Sequence, residues 1–342
     1  MKRSLYIIAV CISLAACKKD NSDLLQNNTI PANEKLSTNS IVPVPQPPSW
    51  WTQMYAPPAI DPHITSYNQV IKVNGSIYSL VGYSVYKALY KFNTGVNVWI
   101  QSNDFSVYGQ SRIMFAYGSK IYIGMTDAGN NTQSNDFKSY DVATGVTTTL
   151  PSFPGTPVQG ATFFVIGNKG YLLGGQIYPS NSINQLWEFN FSTNQWINKG
   201  NSPLGERVHA SAFVFENKAY LGLGYDHVNF LGNNITRYKN DWVVYDPATN
   251  TSAARPNFPG QKRTSAGGFV LNGMIYVGLG IDDNNSFTDF YKYNPFANTW
   301  TQQASWPGTV SNYHQFAGFS IGTTGYVVKS ALDEFWRFNV NN

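Results

Sequence analysis

Six tyrosines, Tyr78, Tyr122, Tyr171, Tyr220, Tyr276 and Tyr326, recur along the chain at intervals of 44, 49, 49, 56 and 50 residues. Each sits in a similar phrase, most plainly KGYLLGG at 169–175 and KAYLGLG at 218–224. A repeat of this length, sustained over most of a chain, specifies units that stack, because one such unit cannot cover both its faces alone.

The phrase also has an internal grammar. Ahead of the tyrosines lie apolar-alternating runs ending in short turns, VNGS, YGSK, GNKG, ENKA and LNGM, which read as hairpins. Glycines follow in the first five units (Gly82, Gly124, Gly174 with Gly175, Gly222 with Gly224, Gly278 with Gly280), whereas the sixth reads YVVKS. A third run ends in an aromatic and a short polar residue: Phe92-Asn93, Tyr140-Asp141, Phe189-Asn190, Tyr245-Asp246, Tyr293-Asn294 and Phe338-Asn339. Asn or Asp there opens a turn by accepting a hydrogen bond from its own downstream backbone. Six residues later stand Trp99, Trp196 and Trp300, with Thr147 and Ser252 in units two and four. We assign these landmarks to packing and turns, not to a site.

Four strands per unit with di-glycine, tyrosine and tryptophan landmarks resemble the kelch repeat, from about residue 50 to the end. The resemblance implies an all-β, six-bladed propeller of four-stranded blades. The last unit ends at Asn342, without room for a fourth strand, and Trp51 precedes Tyr78 by 27 residues, close to the 24 between Trp196 and Tyr220. The segment around Trp50 and Trp51 is therefore expected to supply the missing strand and close the ring. Composition agrees with an all-β chain: 15% of residues are aromatic and 29 are glycine, with no helical periodicity beyond the N-terminus.

The N-terminus carries an address. Lys2 and Arg3 precede the apolar run SLYIIAVCISLAA, which ends at Cys17 and is too short to span a bilayer. Leu14-Ala15-Ala16-Cys17 resembles the lipobox of bacterial lipoproteins, which implies cleavage before Cys17 and acylation of that residue. We expect residues 1–16 as a lipoprotein signal peptide and 17–48 as the lipidated cysteine and a flexible tether. The propeller then spans 49–342. The tether reading rests on its polar, Asn-, Ser- and Pro-rich sequence. Attachment by several acyl chains, which the resemblance implies, is expected to hold the chain stably in the bacterial cell envelope, at the outer membrane on its periplasmic or surface side. A net charge of +4, dispersed, gives no nucleic-acid footprint, and a monomer is expected.

Longer connections, the longest from Tyr225 to Asp241, follow the glycines and gather on one face of the ring. Thirteen residues before the tyrosines stand Thr65, Gly109, Val158, Arg207, Arg263 and Tyr313, with Tyr67, Arg112, Gln159, His209 and His314 close by. At a channel mouth, Arg112, Arg207, Arg263, His209, Tyr313 and His314 would suit an anion, a carboxylate or a sugar. The competing reading makes the arginines braces for neighbouring backbone and moves binding to the Tyr225–Asp241 loop. Asp282–Asn285 and Asp127–Asn131 fit no spaced calcium loop, so no metal or cofactor is expected.

Kelch-like propellers include copper radical oxidases similar to galactose oxidase, whose chemistry requires a tyrosine crosslinked to cysteine. No cysteine follows Cys17, so the resemblance does not extend to that site. A second relative is the six-bladed sialic acid mutarotase, for which Glu206 and His209 would be the acid and base. The leading expectation is a non-catalytic module binding a glycan or a surface protein on the loop face, with sugar mutarotase or epimerase activity as the alternative. The anchor reading has a direct test: Cys17→Ser should remain unprocessed or leave the membrane fraction, measured by mass shift and fractionation.

Overall fold

The computed structural model describes residues 50–54, 69–83, 86–102, 113–125, 127–129, 132–177, 181–309, 315–329 and 334–339. Its strands form six four-stranded antiparallel sheets, one per repeat. Blade one comprises Gln69–Val73, Ser76–Tyr83, Tyr86–Asn93 and Val98–Gln101, and each later blade repeats this meander. Each innermost strand lies beside the next, and the last, Phe316–Ile321, returns beside Gln69–Val73, so the sheets close into a propeller.

The repeat tyrosine occupies one register throughout. Tyr78, Tyr122, Tyr171, Tyr220, Tyr276 and Tyr326 lie opposite Ile71, Phe115, Phe164, Phe213, Phe269 and Phe319 of the innermost strands. Turn chemistry sets that register. Asn74 and Gly75 both take positive φ (47° and 77°), the geometry of a two-residue hairpin whose twist matches its strands. The polar residue after the third strand works as the sequence implies: Oδ1 of Asn93, Asp141, Asn190, Asp246 and Asn294 accepts from the N–H two residues on.

Burial is organised by junction. Six apolar clusters each span two adjacent blades. The tryptophans serve these seams. Trp99 packs on Phe319 and Phe335 of blade six, Trp196 on Phe137 of blade two, and Trp300 on Trp242 of blade four. Such aromatic pairs add about 0.5–1.5 kcal/mol each beyond the area they bury.

The ring closes as expected. Trp51–Met54 pairs antiparallel with Phe335–Asn339, Trp51 opposite Phe338 and Met54 opposite Phe335, and completes blade six. Trp51 is buried against Phe290 and Phe338, and its indole N–H donates to Ala304 O at 3.0 Å. Burying an aromatic of this size contributes about 1.5–3 kcal/mol. Its loss would also bare the edge of Phe335–Asn339. A chain beginning at residue 60 should therefore melt several degrees below one beginning at residue 49, or aggregate. Equal melting temperatures and solubility would contradict the closure.

Candidate functional site

The residues at the channel mouth on the loop face stand eleven, not thirteen, positions before the repeat tyrosines: Gly160, His209, Ser265 and Gln315. With Thr162 and Ser211 they line a cavity of about 230 Å³. Three share a left-handed kink, with φ of 66° at Gly160, 50° at His209 and 56° at Ser265. The kink turns each carbonyl toward the next blade. Gly160 O accepts from His209 N at 2.7 Å, and Ser265 O from Phe316 N at 3.3 Å. Thr162 Oγ1 adds a bond to Ala210 O at 2.9 Å. Left-handed φ costs a non-glycine residue about 1–2 kcal/mol, and these blade-to-blade bonds offset it. At the other end the channel widens to about 390 Å³ and turns apolar, lined by Ile71, Val165, Val214 and Val270. The polar end is the better site for an oriented ligand.

Arg207 and Arg263 do not face this mouth, which corrects the sequence expectation. A two-residue offset turns them outward into their own blades. Arg207 is buried, and all five of its N–H donors are taken. Nη1 and Nη2 grip Asp241 at 2.8 and 2.9 Å, each also reaches a carbonyl (Leu223 O and Leu204 O, both at 2.9 Å), and Nε donates to Glu206 O. Arg263, 0% exposed, repeats the arrangement with Asp289, Leu279 O and Gln261 O. It also lies 4.8 Å from the ring of Phe258 and 4.1 Å from that of Phe287. A fork so engaged holds protein, not ligand.

The same arginines form the joint between blades. Gly175 N, in blade three, donates to Arg207 O at 2.7 Å, and Gly224 N, in blade four, donates to Arg263 O at 2.9 Å. A Cβ on Gly175 would stand 2.5 Å from the Val158 side chain and one on Gly224 2.5 Å from Val208 O, so glycine at this place is the clearance both joints need. Blade six substitutes a Lys329–Glu334 pair at 2.7 Å.

The acidic partners were missed in the sequence. Asp241, Asp289 and Glu334 each stand directly before the buried aromatic that opens a third strand, Trp242, Phe290 or Phe335. Asp136-Phe137 repeats this acid-aromatic pair in blade two and was the available signal.

Of the other expected residues, His209 lines the mouth, whereas Glu206 is exposed outside its lining and acts by its charge on Arg237. Arg112, Tyr313, His314, Tyr67 and Cys17 lie outside the described residues. Asp282 accepts from the N–H groups of Asn284 and Asn285 at 2.8 and 2.7 Å, which is turn chemistry.

Above the mouth stands a crown of short extensions. Blade three contributes Gln176–Ile177 with Asn181–Ser182, and blade four the hairpin Tyr225–Phe230 with Asn233–Tyr238. Blade five adds a bridge between Ile281 and Ser286. Tyr225 pairs with Val208, so its ring stands 6.0 Å from His209; His227 lies 5.1 Å and Tyr238 5.9 Å further on. His227 Nε2 is 3.1 Å from Gln176 Oε1, and Tyr238 donates its O–H to Asp283 at 2.6 Å. Burial pushes the His227 imidazole below its ordinary value, against the pull of Asp226 and Asp283, which favours the neutral ring. Burial, then the Asp283 carboxylate, raises the Tyr238 phenol and keeps it a donor. Burial opposes the charge on Asp226, but Arg237 and Lys239 outweigh it and hold the carboxyl below its usual range.

The arginine forks give a sharp expectation. Arg263→Ala should lower unfolding free energy by about 3–5 kcal/mol, as removal of one partner from a buried ion pair does. Arg263→Lys should not rescue it, because an ammonium cannot hold two carboxylate oxygens and a carbonyl in one plane. Denaturant melts of both variants check this; a stable Arg263→Ala would return that residue to the list of ligand contacts.

Comparison with known proteins agrees with the geometry. The family described as the KLHDC2/KLHL20/DRC7 Kelch-repeats domain matches residues 114–328. N-acetylneuraminate epimerase of Pasteurella multocida (strain Pm70) is 30% identical over 143 residues, 40% of this chain and 34% of its own. The Shigella flexneri enzyme of the same name is 31% identical over 117 residues, 33% and 31% of the two chains. The chain thus spans about a third of the length of the curated relatives it matches. A solved structure titled "Structure of YjhT" superposes with a TM-score of 0.51 at 17% identity, covering 61% of this chain and 69% of the other, a likeness of fold. Repeat, blade joint and sequence match together make the chain a member of the kelch-repeat propeller family.

Proposed function

We propose that this protein is an exported, lipid-anchored kelch propeller that binds a hydroxyl-rich, glycan-type ligand at the loop-face mouth without transforming it. The mouth supports the reading. Beside the apolar Phe163, Phe213 and Phe316, its wall presents small polar groups, Thr162, Ser211, Ser265 and Gln315, suited to hydroxyls. Among the described residues that line it, His209 is the one titratable side chain, which serves hydrogen bonding better than paired acid and base work. Anchoring through Cys17 would hold this mouth at the cell envelope.

Sugar mutarotation is the second reading. It is favoured by the similarity to N-acetylneuraminate epimerases and by Glu206 standing three residues before His209 in the chain. Opening and reclosing a sugar ring needs a group that gives a proton and one that takes it.

One experiment separates the two. The protein is screened on a glycan array, and every hit is followed by NMR exchange between anomers. Simple binding predicts exchange no faster than in buffer, and a loss of about 10-fold in affinity for His209→Asn, the worth of one good hydrogen bond. Asparagine is chosen because it tolerates the left-handed φ at that position. Accelerated exchange that disappears in Glu206→Gln and His209→Asn would establish the mutarotase instead.

A further inference from the structure

We infer that the blade-four hairpin, Tyr225–Tyr238, forms a second sugar subsite continuous with the mouth, so that the ligand is an oligosaccharide of at least two units. The inference rests on the reading of the mouth as a sugar site.

Size is the first reason. About 230 Å³ falls below the roughly 300–1,000 Å³ of pockets for drug-sized ligands, so the mouth holds about one sugar ring. Further units have to lie on whatever borders it.

What borders it is aromatic. Because Tyr225 pairs with Val208, the hairpin rises from the residue next to His209. His209, Tyr225 and His227 follow one another at 6.0 and 5.1 Å, with Tyr238 at 5.9 Å from Tyr225, and all four are half-buried. A half-buried ring leaves a face to stack on the C–H side of a pyranose. Polar groups border these rings. Gln176 Oε1 stands 3.1 Å from His227 Nε2 and 3.5 Å from the Tyr225 hydroxyl.

The platform is also held in place. Ser182 Oγ of blade three accepts from His227 N at 2.9 Å, and Asp283 of blade five accepts from Tyr238 at 2.6 Å. One hairpin is thus latched to both neighbouring blades, which reduces the ordering cost of binding. Its charges are balanced: Asp226 is held by Arg237 and Lys239 at 2.7 and 3.0 Å, and the Glu206 charge also acts on Arg237. Such a surface suits neutral sugar units.

The test uses the full chain in detergent and calorimetric titration with glucose, galactose and N-acetylglucosamine, each beside its linear di- to tetrasaccharides. Wild type should bind at least one disaccharide about 10-fold more tightly than its monosaccharide, the worth of an aromatic contact and a hydrogen bond. Tyr225→Ala should reduce that ratio to about 2-fold or less, with the monosaccharide affinity kept. Tyr238→Phe, which keeps the ring but loses the latch to Asp283, should lower the ratio less than Tyr225→Ala does. A wild type that binds a monosaccharide and its oligomers equally overturns the second subsite and leaves the mouth standing. Parallel loss of both ligands in Tyr225→Ala also overturns it. If no sugar binds wild type, the mouth reading falls and takes this inference with it.

Discussion

A buried guanidinium whose every hydrogen bond is made inside the protein is the constraint on which the middle of this ring depends. Arg207 is tied to Asp241 and to two carbonyls of its own blade, while its main-chain oxygen accepts from Gly175 of the blade before. A charge of this kind is tolerated in an interior only when paired and fully bonded. The requirement fixes three things together: an acid before the third strand, a carbonyl after the second, and a glycine with no Cβ on the neighbouring blade. Arg263 with Asp289 and Gly224 repeats the solution. Apolar seams supply most of the cohesion, but they are non-directional; the forks set where one blade meets the next.

Much of the architecture was legible because it is written in local chemistry repeated many times. The tyrosine register, the Asn and Asp turns, the seam tryptophans and the closing strand all follow from spacings within one unit, and the structure bears them out. The direction of Arg207 and Arg263 was not legible. They precede their strands, where the period of two no longer dictates which way a side chain points. Their partners lie 34 and 26 residues downstream, beyond any local pattern. His209, two residues further on, is carried to the mouth by a backbone kink that histidine's chemistry gives no reason to expect.

The crown shows the reverse relation between sequence and site. Its segments are the least repetitive in the chain, so nothing in the blade pattern assigns them roles, yet they join three blades through Ser182, His227, Tyr238 and Asp283. Reading the Tyr225–Asp241 connection as the longest loop located the place. Only the geometry reveals the row of rings that begins at His209.

The closing strand also imposes an order in time. Asn339 bonds to Thr52 across 287 residues of chain. Until the two strands meet, Trp51 has no blade to enter and the array of sheets has two open ends, a row and not yet a ring. Completion is a single long-range event, slow because its loop is long. A protein so built reaches its final stability in one step, when Trp51 seats between Phe290 and Phe338.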